Sequence, residues 1–168
     1  MAPARPLRVG LTVAAALLIA DQVTKLAMMA LLEDAGGRIV VTGFFNLVVV
    51  WNRGVSFGML SGLGEYSAVI LSALSLTIVV FLLFWLRRAH RVAMVVAIGC
   101  VIGGAVGNVI DRIRFGAVFD FLDFHVAGWH WPAFNIADSA IVLGVGYLVI
   151  DSFVHPEPKR GAEGETPQ

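Results

Sequence analysis

Between Tyr66 and Leu86 the chain reads YSAVILSALSLTIVVFLLFWL, with no charged residue anywhere in the run. About 20 consecutive apolar residues suffice to cross the hydrocarbon core of a bilayer. A chain of 168 residues has room for about one domain, so this run decides the class of the whole molecule. Three more runs are nearly as apolar: Val9 to Leu32, interrupted by Asp21 and Lys25, Val92 to Ile110, and Phe134 to Val154, interrupted only by Asp138 and Asp151. The hydrophobic share of 58% exceeds the roughly 45–50% of ordinary globular domains. The expectation is an integral membrane protein, mainly α, with four transmembrane helices at about 9–32, 66–86, 92–110 and 134–154 in a single unit over 1–155. Arg5 and Arg8 ahead of the first run resemble the start of a cleavable signal peptide. Hydrophobicity resumes after Asp21 through LAMMALL, however, which argues for a retained helix.

Four spans put both termini on one side of the membrane. Arg5, Arg8, Arg87, Arg88, Arg91, Lys159 and Arg160 share that side, against Arg38, Arg53, Arg112 and Arg114 on the other. By the positive-inside rule the termini are cytoplasmic, and segments 33–65 and 111–133 are exterior loops. The polar end, 156–168, rich in Pro and Gly, is expected to be a disordered cytoplasmic tail. Within the first loop, RIVVTGFFNLVVVWNRGVSFG mixes β-branched and aromatic residues with glycines, the mark of short strands. It predicts a small β-rich cradle between helices 1 and 2, packed on the helix ends or over a lipid-bound substrate. Trp129 and Trp131 suit the membrane interface. Gly99, Gly103 and Gly107 recur every four residues, a ridge that lets helices approach closely.

Several chemistries are excluded. Twelve basic residues balance twelve acidic ones, so no strongly basic nucleic-acid surface is expected. The single cysteine, Cys100, rules out an internal disulfide and any CxxC site, and its apolar run suits an inert core thiol. HExxH is absent, the four histidines show no ligand pattern, and there is no Gly-rich phosphate loop. No metal or other cofactor is expected.

What remains is the set of ionisable residues at membrane level, which are costly there and mark function by default. Asp21 and Lys25 stand four apart with the acid first, favourable for an ion pair on one helix face. The pair either satisfies itself or steadies a site, with Lys25 reaching outward to that site or to a lipid headgroup. Four of the seven aspartates fall between Asn108 and Asp138. Asn108, Asp111 and Arg112 share a helix face if the third helix continues, with Arg112 or Arg114 expected to pair with Asp111. Asn135 and Asp138 fit an N-cap followed by an acid in the first turn, which by itself explains both. Asp120 lies between GAVF and FLDF and caps no evident helix. Two separate acids in apolar settings, Asp120 and Asp138, are what an aspartyl protease requires, because close carboxyls share one proton. Asp123 is the competing partner, expected to be solvated or paired with an arginine. A serine mechanism would have to draw on Lys25 with Ser56 or Ser139, and no local motif supports it.

Five blocks together resemble the lipoprotein signal peptidases, or signal peptidase II: DQVTK at Asp21, FFNLVVVWNRGVSFG at Phe44, GGAVGNVIDR at Gly103, GAVFDFLDF at Gly116 and FNIADS at Phe134. Ser56 departs from the alanine more usual in that family. The resemblance implies a four-helix aspartyl endopeptidase of the bacterial cytoplasmic (inner) membrane, monomeric and without cofactor. It would act near the exterior face on diacylglyceryl-modified prolipoproteins among membrane lipids, cutting just before the lipidated cysteine. The cyclic peptide globomycin would occupy the same cleft. The family's catalytic aspartates fall on Asp120 and Asp138, and its supporting positions on Asp21, Lys25, Asn52, Gly54, Asn108, Asp111, Arg112 and Asn135. The rival from another class is a non-enzymatic carrier or assembly factor that uses the buried charges as a polar path.

Overall fold

The computed structural model describes residues 4–54 and 66–155. Ser56, the basic residues Lys159 and Arg160 and the 156–168 tail lie outside the described residues. Four long helices and a small sheet alternate along the chain. Helix α1 (Ala4–Asp34) leads into strands β1 (Arg38–Thr42) and β2 (Phe45–Asn52), and helices α2 (Ser67–Leu86) and α3 (Val92–Phe115) follow. Strands β3 (Val118–Val126) and β4 (Trp129–His130) then precede helix α4 (Ile136–Val154). Each helix is long and apolar enough to span a bilayer.

The helices differ in how much of that apolar surface they hide. In α3, 67% of the span is buried, against 17–22% in the other three, so α3 is the axis around which α1, α2 and α4 pack. Glycine makes this approach feasible. A Cβ on Gly99 or Gly103 would lie 2.6 Å from the carbonyl oxygen of Gly10 or Ala14 on α1, and Gly104 faces the Ala137 carbonyl of α4 just as closely. In lipid, where tails are as apolar as leucine, packing this tight is what drives helices together. The outward faces keep large side chains such as Ile19, Phe81 and Leu143 exposed, as suits helices surrounded by hydrocarbon rather than water.

Helix α3 runs past Ile110 to Phe115 and stops where Gly116 adopts φ 69° and donates its N–H to the Arg112 carbonyl. Only glycine takes this left-handed turn at little cost. Asp111, Arg112 and Arg114 therefore belong to the helix rather than to the following loop. The sheet is larger than the segment between α1 and α2 provides. Its order is β1-β2-β3-β4, all antiparallel, so the segment between α3 and α4 supplies half of its strands. Phe119 and Phe121 of β3 pack with Leu32 of α1 in a second small core beneath the sheet. The register advances from Leu47↔Leu122 to Val50↔Asp120, which leaves one extra residue on β2, a bulge of the kind that re-aims side chains.

Candidate active site

Lys25 is completely enclosed, 1% exposed, and a buried ammonium must be paired. Its Nζ lies 2.9 Å from Asp21 Oδ2, 2.7 Å from Asp111 Oδ2 and 3.2 Å from Asn108 Oδ1. Gln22 Nε2 links the two carboxylates, 3.1 Å from each. The remaining bonds reach other elements. Phe119 N–H donates to Asp111 at 3.2 Å, and Ala137 N–H donates to Asp21 at 3.0 Å. Each acceptor thus grips the residue immediately before Asp120 or Asp138.

Asp120 and Asp138 are set one step further along. The Asp120 carboxylate accepts Asn135 Nδ2 at 2.7 Å and Asn52 Nδ2 at 3.0 Å. Asp138 Oδ1 accepts Asn108 Nδ2 at 2.8 Å, while its Oδ2 accepts the Asn135 backbone N–H at 3.2 Å. The two carboxyl groups are close enough to interact electrostatically. The amides cannot be turned round. Lys25 donates to the Asn108 oxygen, and the Asp138 N–H donates to the Asn135 oxygen at 2.9 Å, so both NH₂ groups face the acids. Burial, and then the charge of Asp138, push the Asp120 carboxyl up to about 7, against the bonds from Asn52 and Asn135 and the charge of Lys25.

The capping expectation and the acid-pair expectation both describe Asp138. Asn135 and Asp138 form a reciprocal capping box at the start of α4, which uses one oxygen of Asp138 and leaves the other to Asn108. The bond expected between Asp111 and Arg112 or Arg114 is replaced by Lys25. Adjacent residues on a helix do not face each other, and Arg114 lies over the Phe115 ring instead. Among the described residues Arg112 donates to the Asn108 carbonyl alone, at 3.5 Å. Its Nε is buried without a hydrogen-bond partner among the described residues, within electrostatic reach of Asp138, Asp120 and Asp111. Lys25 points inward to the acids, not outward to a lipid headgroup. Ser139 donates to the Asn135 carbonyl, which leaves no serine–lysine pair among the described residues. Asn52 Oδ1 accepts the Gly54 N–H at 3.1 Å, so the two residues form one turn beside Asp120.

Asp123 is neither solvated nor held by an arginine. It is buried and accepts Asn46 Nδ2 at 2.8 Å and His130 Nδ1 at 2.7 Å. Burial alone would raise its carboxyl, but these bonds and the nearby His130 and His125 hold it below the usual carboxylate range. Asn46 and Asn52 are an even number of residues apart on β2, whereas Asp123 and Asp120 are an odd number apart on β3. The one-residue bulge lets each amide meet its acid. Gln22 and Asn46 are polar residues that sequence reasoning passed over, and His130, expected as a surface residue rather than a ligand, holds Asp123 while staying partly exposed. Only Gln22 carried a signal there, standing between Asp21 and Lys25.

A cleft of about 560 Å³ opens at Asp138, lined also by Trp131, Phe134, Ser139, Ile141 and Val142 among others. Among the described residues no group of three His, Cys, Asp or Glu side chains could hold a metal ion.

The family model for signal peptidase (SPase) II matches residues 13–154. The lipoprotein signal peptidase of Methylobacterium sp. (strain 4-46) is 44% identical over 150 residues, 88% of this chain and 90% of that protein. The lipoprotein signal peptidase of Nitrobacter hamburgensis is 45% identical over 154 residues, 89% and 94% of the two chains. A bacterial membrane enzyme solved by the in meso method at 2.3 Å resolution superposes with a TM-score of 0.75 at 30% identity, covering 93% of this chain and 94% of that one. With its paired acids at the sheet end of a four-helix bundle, this chain belongs to the signal peptidase II family.

Proposed function

We propose that this peptidase removes the signal peptide of diacylglyceryl-modified prolipoproteins with Asp120 and Asp138 as its catalytic pair, cutting just before the lipidated cysteine. The observation that carries the reading is the setting of these two acids. Asp120 is buried and Asp138 half-buried beside it, the two are close enough to interact electrostatically, and among the described residues neutral amides rather than cations donate to them. Such a pair retains one proton between its members.

In the proposed reaction the ionised carboxylate takes a proton from a water whose oxygen attacks the scissile carbonyl carbon. The protonated carboxyl gives its proton to the carbonyl oxygen, and a tetrahedral diol forms. Its collapse breaks the C–N bond as the nitrogen takes a proton from one carboxyl and a diol hydroxyl returns one to the other. The products are a signal peptide ending in a carboxylate and a cysteine with a free α-amine. Asn52, Asn108 and Asn135 orient the carboxyls. Asp21, Lys25 and Asp111 hold the backbone beside them, and the Arg112 guanidinium has donors to spare for a substrate carbonyl. The excess of arginine at the α2–α3 connection and the N-terminus supports cytoplasmic termini and an exterior-facing site in the inner membrane, and one bundle carrying both acids is compatible with a working monomer.

The test uses detergent-purified protein, a diacylglyceryl-modified preprolipoprotein and a chelator control. Cleavage just before the lipidated cysteine, insensitive to chelation, should fall by about 10⁴-fold in Asp120→Asn and in Asp138→Asn. Full activity in either folded variant would refute the pair, and no cleavage by folded wild type would bring the carrier reading forward.

A further inference from the structure

A second cleft of about 490 Å³ lies over the sheet, lined by Val48 and Val50 of β2, Asp123 of β3 and the Trp129–His130 hairpin strand. It shares Trp131, Pro132 and Ala133 with the cleft that contains Asp138, so the two clefts adjoin along this segment. The grooves differ in chemistry. The first runs along α4 past Ile141, Val142 and Leu143, within the span. The second lies outside the spanning helices and has a polar pair on its wall.

That pair is built from within. Asp123 is 6% exposed and Asn46 is fully buried, and the Asn46 amide and His130 Nδ1 occupy one carboxylate oxygen each. The His130 ring stacks on His125 with centroids 4.8 Å apart, yet its side chain remains 47% exposed. A carboxylate only accepts hydrogen bonds, so Nδ1 carries the ring hydrogen and donates it. In the neutral form of such a ring Nε2, on the opposite edge, is an acceptor. Acyl chains have no donor to offer such an atom, whereas a peptide backbone offers one at each residue.

We propose that this second cleft binds the unlipidated peptide that follows the cleaved bond, with His130 Nε2 accepting one of its backbone N–H groups. The inference rests on the reading of Asp120 and Asp138 as the catalytic pair. A substrate whose scissile bond lies at that pair must leave in two directions, and the two adjoining clefts offer one path for each. The apolar groove suits the signal peptide, and the sheet-side groove suits the polar segment beyond the cysteine. Asp123 acts here as the positioning residue that fixes the tautomer and the ring.

The experiment compares two diacylglyceryl-modified peptides of identical signal sequence, one ending in an amide at the cysteine and one continuing for six residues. In wild type the longer peptide should have a KM about tenfold lower, the order expected from one well-placed hydrogen bond and its packing. His130→Ala should erase that difference, and His130→Gln, which keeps an acceptor, should restore part of it. A parallel series with wild-type enzyme and single N-methyl groups along the six residues needs no variant, and one position should remove the advantage. Equal KM values for the two peptides in wild type overturn the subsite. So does a His130→Ala effect that is equal on both, which would mark a lipid contact or a purely structural role. If wild type cleaves neither peptide, the catalytic reading fails and the subsite falls with it.

Discussion

Two pairs of aspartates lie together at the sheet end of the bundle, and they are held in opposite ways. Asp21 and Asp111 close on an ammonium, with Lys25 at 2.9 and 2.7 Å. Asp120 and Asp138 receive three side-chain amides and one backbone N–H but, among the described residues, no cation. A carboxylate against an ammonium is a fixed ion, suited to accepting backbone N–H groups permanently, as these two do from Phe119 and Ala137. A carboxylate held by neutral amides keeps its orientation while its proton stays exchangeable. The same residue type thus serves as anchor in one cluster and as reagent in the other, and the choice of partner separates the roles.

Removing the cation should produce the largest effect on this contrast. Lys25→Met leaves two carboxylates buried without a counter-charge, a change that costs about 3–5 kcal/mol when one partner of a buried pair is lost. The expected outcome is a marked fall in the thermal unfolding midpoint in detergent, with activity lost alongside it. An unchanged midpoint would mean that the cluster anchors nothing. The matching change in the other pair, Asp138→Asn, should leave the midpoint near that of wild type, because a neutral amide can replace a carboxyl among amides.

A smaller effect should follow from disturbing the anchor without removing charge. A Cβ on Gly107 would lie 2.5 Å from Asp21 Oδ2, so Gly107→Ala must displace the carboxylate that holds the residue before Asp138. Misplacement of a catalytic group by about 1 Å can cost 10²-fold, and kcat should fall by about 10- to 100-fold with KM little changed. Gly103→Ala is the control. Its Cβ would meet the Ala14 carbonyl just as closely, in the α1–α3 packing away from the acids, and it should lower stability without lowering kcat of the folded fraction. Equal kcat losses in the two variants would reduce Gly107 to a packing residue.

The four helices were legible because their signal is local: an uncharged run such as Tyr66–Leu86 needs no partner to declare itself. Half of the sheet was legible in the same way, from the β-branched residues of β1 and β2. Strand β3 was not, because its identity depends on pairing with β2 from the far side of two helices. The catalytic candidates stood out as acids in apolar surroundings. Their supports were harder to read, since periodicity reveals neighbours only within one helix. It found Asp21 with Lys25 but could not find Lys25 with Asp111, and it offered Arg112 in place of the true partner. The capping motif at Asn135 looked like an alternative to chemistry at Asp138 because sequence does not show that two carboxylate oxygens can take separate partners. Asn46 and His130 carried no signal at all, since their acid, Asp123, becomes their neighbour only once the bulged register is in place.

The finest test of the contrast is the alkaline limb of the pH profile. With Asp120 pushed up to about 7, the proton shared by the pair leaves as pH rises through that value. kcat/KM should therefore decline by about tenfold per pH unit beyond it. Among its partners Asn52 favours the ionised form, because its amide donates to Asp120 Oδ2 at 3.0 Å. Asn52→Ala removes that donor, so the Asp120 carboxyl should hold its proton to higher pH. One hydrogen bond of roughly 1 kcal/mol corresponds to somewhat less than about one pH unit. The variant should be a few-fold slower than wild type at neutral pH, through looser orientation of the carboxyl, yet lose less of its own activity between pH 7 and 8. A limb that moves to lower pH would mean that Asn52 stabilises the protonated acid, and a limb that stays in place would mean that it does not touch the proton at all. In the anchoring cluster the equivalent loss, Gln22→Ala, should leave the limb where it is, because the acids it joins are tied to Lys25 and take no part in the exchange.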